Sequence, residues 1–311
     1  MNLHLSPAPH VHSPQSTRSL MLNVLIALAP CTVFGVWRFG PSALMVLVVA
    51  TASAVAAEAV WQKLTRQRVL ISDLSAAVTG LILGLNLPPR APWWLAVTGS
   101  VFAVILVKGL FGGLGDNFVN PALAARAMLL ASWPKFMTAW SGPVGWGSSV
   151  DAVSVATPLA APAGFTVSQL FLGDIPGSIG EVCKLAILIG LVWLLVTKTV
   201  TWRIPVVMVA STFLFSWLFG KDPLSAILSG GVLFAAVFMA TDYVTCPMSC
   251  GGQLVYAAGA GALVAVIRSF GGYPEGATYG VLLMNVLAPL LDRCFRRRVY
   301  GHLKGGSKTN V

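Results

Sequence analysis

The chain has 311 residues, of which 56% are hydrophobic and only 10% charged, against ~25% charged in an ordinary soluble domain. A soluble fold of this size could not enclose so much apolar surface beneath a polar exterior, so a soluble globular enzyme, a disordered chain and a disulfide scaffold are excluded. What remains is an all-α integral membrane protein, and the net charge of +10 lies in the gaps between apolar runs, which reads as membrane orientation rather than nucleic-acid binding.

Residues 1–19 form a polar tail with His4, His10 and His12 and no apolar segment of the kind a cleaved signal needs. Ten apolar runs follow, near 20–37, 41–62, 73–88, 92–113, 117–133, 182–197, 203–219, 224–242, 253–269 and 276–294. Each is read as a transmembrane helix. Glycines interrupt several, such as Gly80 and Gly84 in the third and Gly230-Gly231 in the eighth; a membrane tolerates these where neighbouring helices cover them. Residues 295–311 are a basic tail. Cys31, Cys183, Cys246, Cys250 and Cys294 contain no CxxC pair, so no iron–sulfur cluster or zinc ribbon is signalled. The lone CxxxC of Cys246 and Cys250 reads as structural.

With the N-terminus in the cytoplasm, Arg18, Lys63, Arg66, Arg68, Lys108, Lys198, Arg203 and the basic cluster from Arg293 onward fall inside. Arg38, Arg90, Lys135, Lys184, Lys221 and Arg268 fall outside, and Arg126 lies within the fifth run. The inside excess places both termini in the cytoplasm. The long loop 134–181 then faces outward.

The two halves resemble each other. Leu74-Ser75-Ala76 with Gly80 recurs as Leu224-Ser225-Ala226 with Gly230, and Phe111-Gly112-Gly113 with Asp116 recurs as Phe270-Gly271-Gly272 with Glu275. Asn120 and Pro121 open the fifth run, while Asn285 and Pro289 lie in the tenth. The partners are five runs apart, an odd offset that puts them on opposite membrane sides, so the repeat is inverted. The expected fold is two inverted five-helix repeats, 20–133 and 182–294, of the urea-transporter type. Such repeats place a site near the midplane without naming its ligand.

The outward loop holds Asp151-Ala152-Val153-Ser154-Val155-Ala156-Thr157-Pro158. A threonine hydroxyl can turn a phosphate monoester into a diester, Ala156 leaves room for a modifying enzyme, and Pro158 keeps Thr157 extended. The bland alternative is a polar loop in which Thr157 caps a turn.

Here the chain resembles the D subunit of the Rnf-type ion-translocating ferredoxin:NAD oxidoreductase, a family related to the B subunit of the sodium-pumping NADH:quinone reductase. The likeness runs through Leu20–Ala29, Gly112–Ala122 (GGLGDNFVNPA), Asp151–Ala160, Phe238–Val244 (FMATDYV) and Ile267–Asn285 (IRSFGGYPEGATYGVLLMN). The short region before the first run favours the Rnf D subunit over the quinone-reductase subunit. In the family FMN is joined by a phosphoester to the last Thr of a D-x-x-S-x-A-T segment. The resemblance therefore implies covalent FMN on Thr157, with Asp151, Ser154 and Ala156 as the context that a flavin transferase reads. It also implies a second, non-covalent flavin (riboflavin) in the helical body, partner subunits bearing iron–sulfur clusters, a second covalent FMN and the NADH site, and residence in a bacterial inner membrane. Cys246 and Cys250 stand where small residues are expected after TDYVT.

Ionisable groups inside spans default to functional candidates. Arg126 serves a flavin or ion path, or an internal ion pair; Asp242 a flavin or cation site, or a cap. Arg268 and Glu275 are near enough in sequence to pair, and Asp73 and Asp222 suit helix N-terminal caps. Asn120 and Asn285 can bond a flavin edge or satisfy a broken helix. The leading function is an electron-transfer subunit coupling redox chemistry to Na⁺ or H⁺ movement; the rival is a non-redox channel or carrier for a small solute on the same repeat. A reporter enzyme inserted at Ser148 is expected to be exported; activity of that reporter in the cytoplasm would overturn the orientation.

Overall fold

The computed structural model describes residues 16–142, 165–271 and 275–295. Among these residues the elements are helices. Three of them, α1 (Thr17–Phe39), α2 (Pro41–Leu64) and α12 (Cys250–Phe270), are long and apolar enough to cross a membrane. Shorter apolar helices are α3 (Ser75–Leu85), α4 (Trp93–Val101, continued as a π-helix over Phe102–Gly109), α5 (Pro121–Ser132), α8 (Lys184–Val196) and α9 (Arg203–Leu218). Between them lie α6 (Pro134–Met137), α7 (Val167–Leu172), α10 (Pro223–Leu228) and α11 (Val232–Phe234), and α13 (Ala277–Cys294) ends the described chain. A second π-helix, Ala235–Met239, extends α11.

Local chemistry explains the boundaries. Ser16 and Ser19 form a reciprocal capping box at α1. Asp222 accepts the Leu224 and Ser225 N–H groups and is the cap of α10 expected of it. The N-cap of α3 is instead Leu74, in a left-handed conformation; Asp73, one residue further out, accepts the Ser75 N–H at 2.9 Å. Asn120 caps α5 by accepting from Ala122 and Leu123, with Pro121 at the first helical position.

Small residues let the helices approach. A Cβ on Gly80 would stand 2.7 Å from the Ala50 carbonyl oxygen of α2, so only glycine fits where α3 crosses α2. The Ser100 hydroxyl of α4 donates to the Ala50 carbonyl at 2.8 Å, and the Ser211 hydroxyl of α9 donates to the Ala258 carbonyl of α12 at 2.7 Å. In a membrane, packing and such bonds replace the hydrophobic drive. In the first half α2 packs on α3 and α4, in the second α9 packs on α10 and α12, and the halves meet where α1 touches α8 and α5 touches α13.

The matched glycines of the halves differ in conformation. Gly80 is an ordinary helical residue under close contact, whereas Gly230 has φ +63° and breaks the chain between α10 and α11. Gly80→Val is expected to destabilise the protein by about 2 kcal/mol through overpacking, seen as a lower thermal midpoint in detergent; Gly80→Ala should fall between it and the native protein.

Candidate functional site

The break in the eighth run frees backbone carbonyls, and two cations, the buried Lys184 and the half-buried Arg268, bond them. Lys184 donates to the carbonyls of Gly230, at 3.1 Å, and of Glu181. Arg268 donates to the carbonyls of Ala226, at 2.6 Å, and Ser229, at 3.3 Å. Sequence alone puts Lys184 among the outward loop charges; the structure buries it fully at the start of α8, because its ammonium has these carbonyls to satisfy.

Arg126 is 3% exposed and donates to Asn86 Oδ1 at 2.7 Å and to the carboxylate of Glu275. It is thus an internal ion pair that ties α5 to the segment before α13. The expected pairing of Arg268 with Glu275 is corrected: Glu275 bonds Arg126, because the Arg268 guanidinium is drawn to the carbonyls of the broken run. Glu181 stands close by, its Oε1 accepting the Ser178 N–H at 3.1 Å while Oε2 is unpartnered.

At the other ends of α3 and α5 the chain encloses a half-open cavity of about 90 Å³. Polar side chains from four elements line it: Ser75 and Thr79 of α3, Lys108 of the first π-helix, Asn117 and Asn120 before α5, and Asp242 after the second π-helix. Val78, Ile82, Leu194, Val237 and Phe238 supply an apolar wall. Both π-helical turns therefore border one cavity. Their i→i+5 bonds include Leu110 N–H to Ile105 O at 2.9 Å and Ala240 N–H to Ala235 O at 2.7 Å, and such turns concentrate at functional sites.

The structure brings together two of the residues singled out in the sequence, Asn120 and Asp242. Asn120 donates to the Met239 carbonyl at 3.2 Å, which ties the opening of α5 to the second π-helix. Asp242 accepts from Thr245 Oγ1 at 3.1 Å. Arg126 sits in the ion pair above, and Asn285 accepts the Tyr256 hydroxyl at 2.6 Å; neither lines the cavity. Asp151, Ser154, Ala156 and Thr157 lie outside the described residues.

Sequence reasoning missed the Lys108–Glu58 pair. Glu58, on α2, accepts from Lys108 Nζ at 2.5 Å, and both are 4% exposed. The available signal was one ionisable residue inside each of two apolar runs. Trp94 stacks edge-on against Trp133 at 5.4 Å, so these two tryptophans pack on each other while Trp93 is exposed. Cys246 and Cys250 are free thiols, and burial pushes the Cys246 thiol up to about 12.

The comparisons with known proteins decide the family. A model described as the NQR2, RnfD, RnfE family matches residues 4–301. The chain belongs to that family. It is 46% identical to the D subunit of the Na⁺-translocating ferredoxin:NAD⁺ oxidoreductase complex of Acetobacterium woodii, over 98% of this chain and 97% of the relative. It is 40% identical to the D subunit of the proton-translocating ferredoxin:NAD⁺ oxidoreductase complex of Clostridium ljungdahlii, over 93% of each. The D subunit of the ion-translocating oxidoreductase complex of Escherichia coli is 38% identical over 98% of this chain and 100% of the relative. Across these members of the NQR2, RnfD, RnfE family the translocated ion named differs.

Removing the Arg126 guanidinium leaves the Glu275 carboxylate without its partner. Arg126→Met is expected to destabilise the protein by about 3 kcal/mol, measured by thermal unfolding in detergent. Adding Glu275→Gln should recover part of that loss.

Proposed function

We propose that this chain is the membrane electron-transfer subunit of an ion-translocating ferredoxin:NAD oxidoreductase, active only within that complex. It carries FMN through a phosphoester to Thr157 and holds a second, non-covalent flavin, riboflavin, in the cavity of Asn120 and Asp242. The chain crosses a bacterial inner membrane about ten times in two inverted five-helix repeats, with both termini cytoplasmic and the Thr157 loop outside. Its partners are the iron–sulfur subunits, a second FMN-bearing subunit and the NADH-binding subunit, and a flavin transferase loads Thr157.

The observation that carries this reading is the cavity, where residues from both halves converge. Its chemistry suits an isoalloxazine: Asn117, Asn120, Thr79 and Lys108 can meet the polar pyrimidine edge, and Phe238, Val237, Val78 and Ile82 the apolar benzenoid end. The closed volume of about 90 Å³ is below the ~300 Å³ of a small-ligand pocket. A flavin therefore uses the open side as well, past the half-buried Met21 and exposed Leu114 at its lining. When bound, a flavin accepts and passes electrons singly or in pairs. The chain's part is to hold it between Asn120 and Asp242, orient it by the polar edge and keep water from its apolar end. For the repeat, support comes from the packing: α1 meets α8 and α5 meets α13, each a helix against its own counterpart, as helices beside a two-fold axis would be. For Thr157, support comes from the D-x-x-S-x-A-T segment standing within the stretch, residues 4–301, that the family model matches.

Relatives of the chain are named for either Na⁺ or protons, so coupling is to one of these cations. Acid-precipitated protein from cells with the transferase is expected to fluoresce on a denaturing gel, and Thr157→Ala to be dark. Free riboflavin should be extractable from both. A dark native band with an unmodified peptide mass at Thr157 would overturn the covalent assignment and favour solute permeation.

A further inference from the structure

We propose that Lys108 sets the redox potential of the flavin held in the inner cavity, with Glu58 fixing its position and moderating its charge. This rests on the proposed placement of the second flavin. Three observations carry it. Lys108 lines the cavity. Its ammonium donates to Glu58 Oε1 at 2.5 Å and to Ser75 Oγ at 2.5 Å, which uses two of its three N–H groups. Among the described residues the third has no partner, and it is available to a ligand.

The position of that charge is built. Glu58 comes from α2, Ser75 from the start of α3 and Lys108 from the π-helix, whose wider turn carries it. Ser75 is itself oriented, its hydroxyl donating to Asp73 Oδ1 at 2.8 Å. Asp73, Ser75 and Lys108 thus form a chain ending at the cavity. A lysine whose only duty was to pair Glu58 would not need a wall position in a cavity that is otherwise largely apolar.

Taking up two electrons and one proton leaves an isoalloxazine with one negative charge. The electrons come from the ferredoxin or NADH couple that the complex serves. A fixed ammonium at the cavity wall binds that anionic reduced form more tightly than the neutral oxidised form, and so raises the potential. Glu58, one bond further out, opposes this effect. The two residues therefore have opposite signs in the measurement, which a purely structural ion pair would not show.

The test uses the assembled complex in a Thr157→Ala background, so that this subunit's only flavin is the extractable one. Its content and midpoint potential are read by extraction and spectroscopic redox titration. Lys108→Gln is expected to weaken the preference for the reduced form about tenfold, which lowers a two-electron potential by about 30 mV. Lys108→Arg should stay near native, and Glu58→Gln should shift the potential upward. If Lys108→Gln does not assemble, Glu58→Gln/Lys108→Gln leaves no unpaired buried charge; its potential should lie about 30 mV below that of Glu58→Gln alone. Retained flavin with an unchanged potential in Lys108→Gln, or a double variant equal to Glu58→Gln, would overturn the role of Lys108. Native complex lacking any extractable flavin from this subunit would instead overturn the placement of the second flavin, and this inference with it.

Discussion

The constraint on which the structure depends is that backbone polar groups buried away from water must find partners within the protein. The eighth apolar run does not continue as one helix: Gly230 takes a left-handed conformation and ends α10 before α11 begins. The carbonyls of Ala226, Ser229 and Gly230 would then be orphaned, and Arg268 and Lys184 bond them. Two charges that look misplaced in an apolar chain are thus the condition for breaking it. The break then allows a different helical path, through the π-turn of Ala235–Met239, to reach the cavity.

A second consequence is the division of charged groups into two sets. One set, Arg126, Glu275, Glu181, Arg268 and Lys184, gathers around the broken run: Arg126 bonds Glu275 between the two halves, while Lys184 and Arg268 bond carbonyls of the second half itself. The other, Glu58 with Lys108 and Asp242 with Thr245, stands at the cavity. Within the first set, the Arg126–Glu275 pair ties the halves together. The second is near the place where a redox group would gain or lose charge, and its low-dielectric surroundings make a single ammonium matter more than it would in water.

Much of this was legible in the residues. The long apolar helices lie along the apolar runs, whereas α6 and α7 fall in the loop between the fifth and sixth, and the Asp222 cap follows from a short polar side chain at a helix start. Asn120 and Asp242 stood out because a polar group beside an apolar run is expensive. Lys108 and Lys184 escaped because each reads, alone, as an orientation charge at the edge of a run, and Glu58 because nothing in its own run names a partner. Only when α2, α3 and the π-helix are brought together does Glu58 meet Lys108 across 50 residues of sequence. The expected Arg268–Glu275 pair failed for the same reason: sequence nearness says nothing of the carbonyls that a broken helix elsewhere presents.

By itself the amino-acid order determined that the chain belongs in a membrane, which segments are apolar, where helices are capped, and which threonine carries the D-x-x-S-x-A-T context. Those are local properties, set by hydropathy, side-chain reach and spacing. Tertiary structure alone decided which buried charges pair, which carbonyls they satisfy and which polar residues share a cavity. Such choices depend on distances between helices far apart in the chain, and no local pattern encodes them.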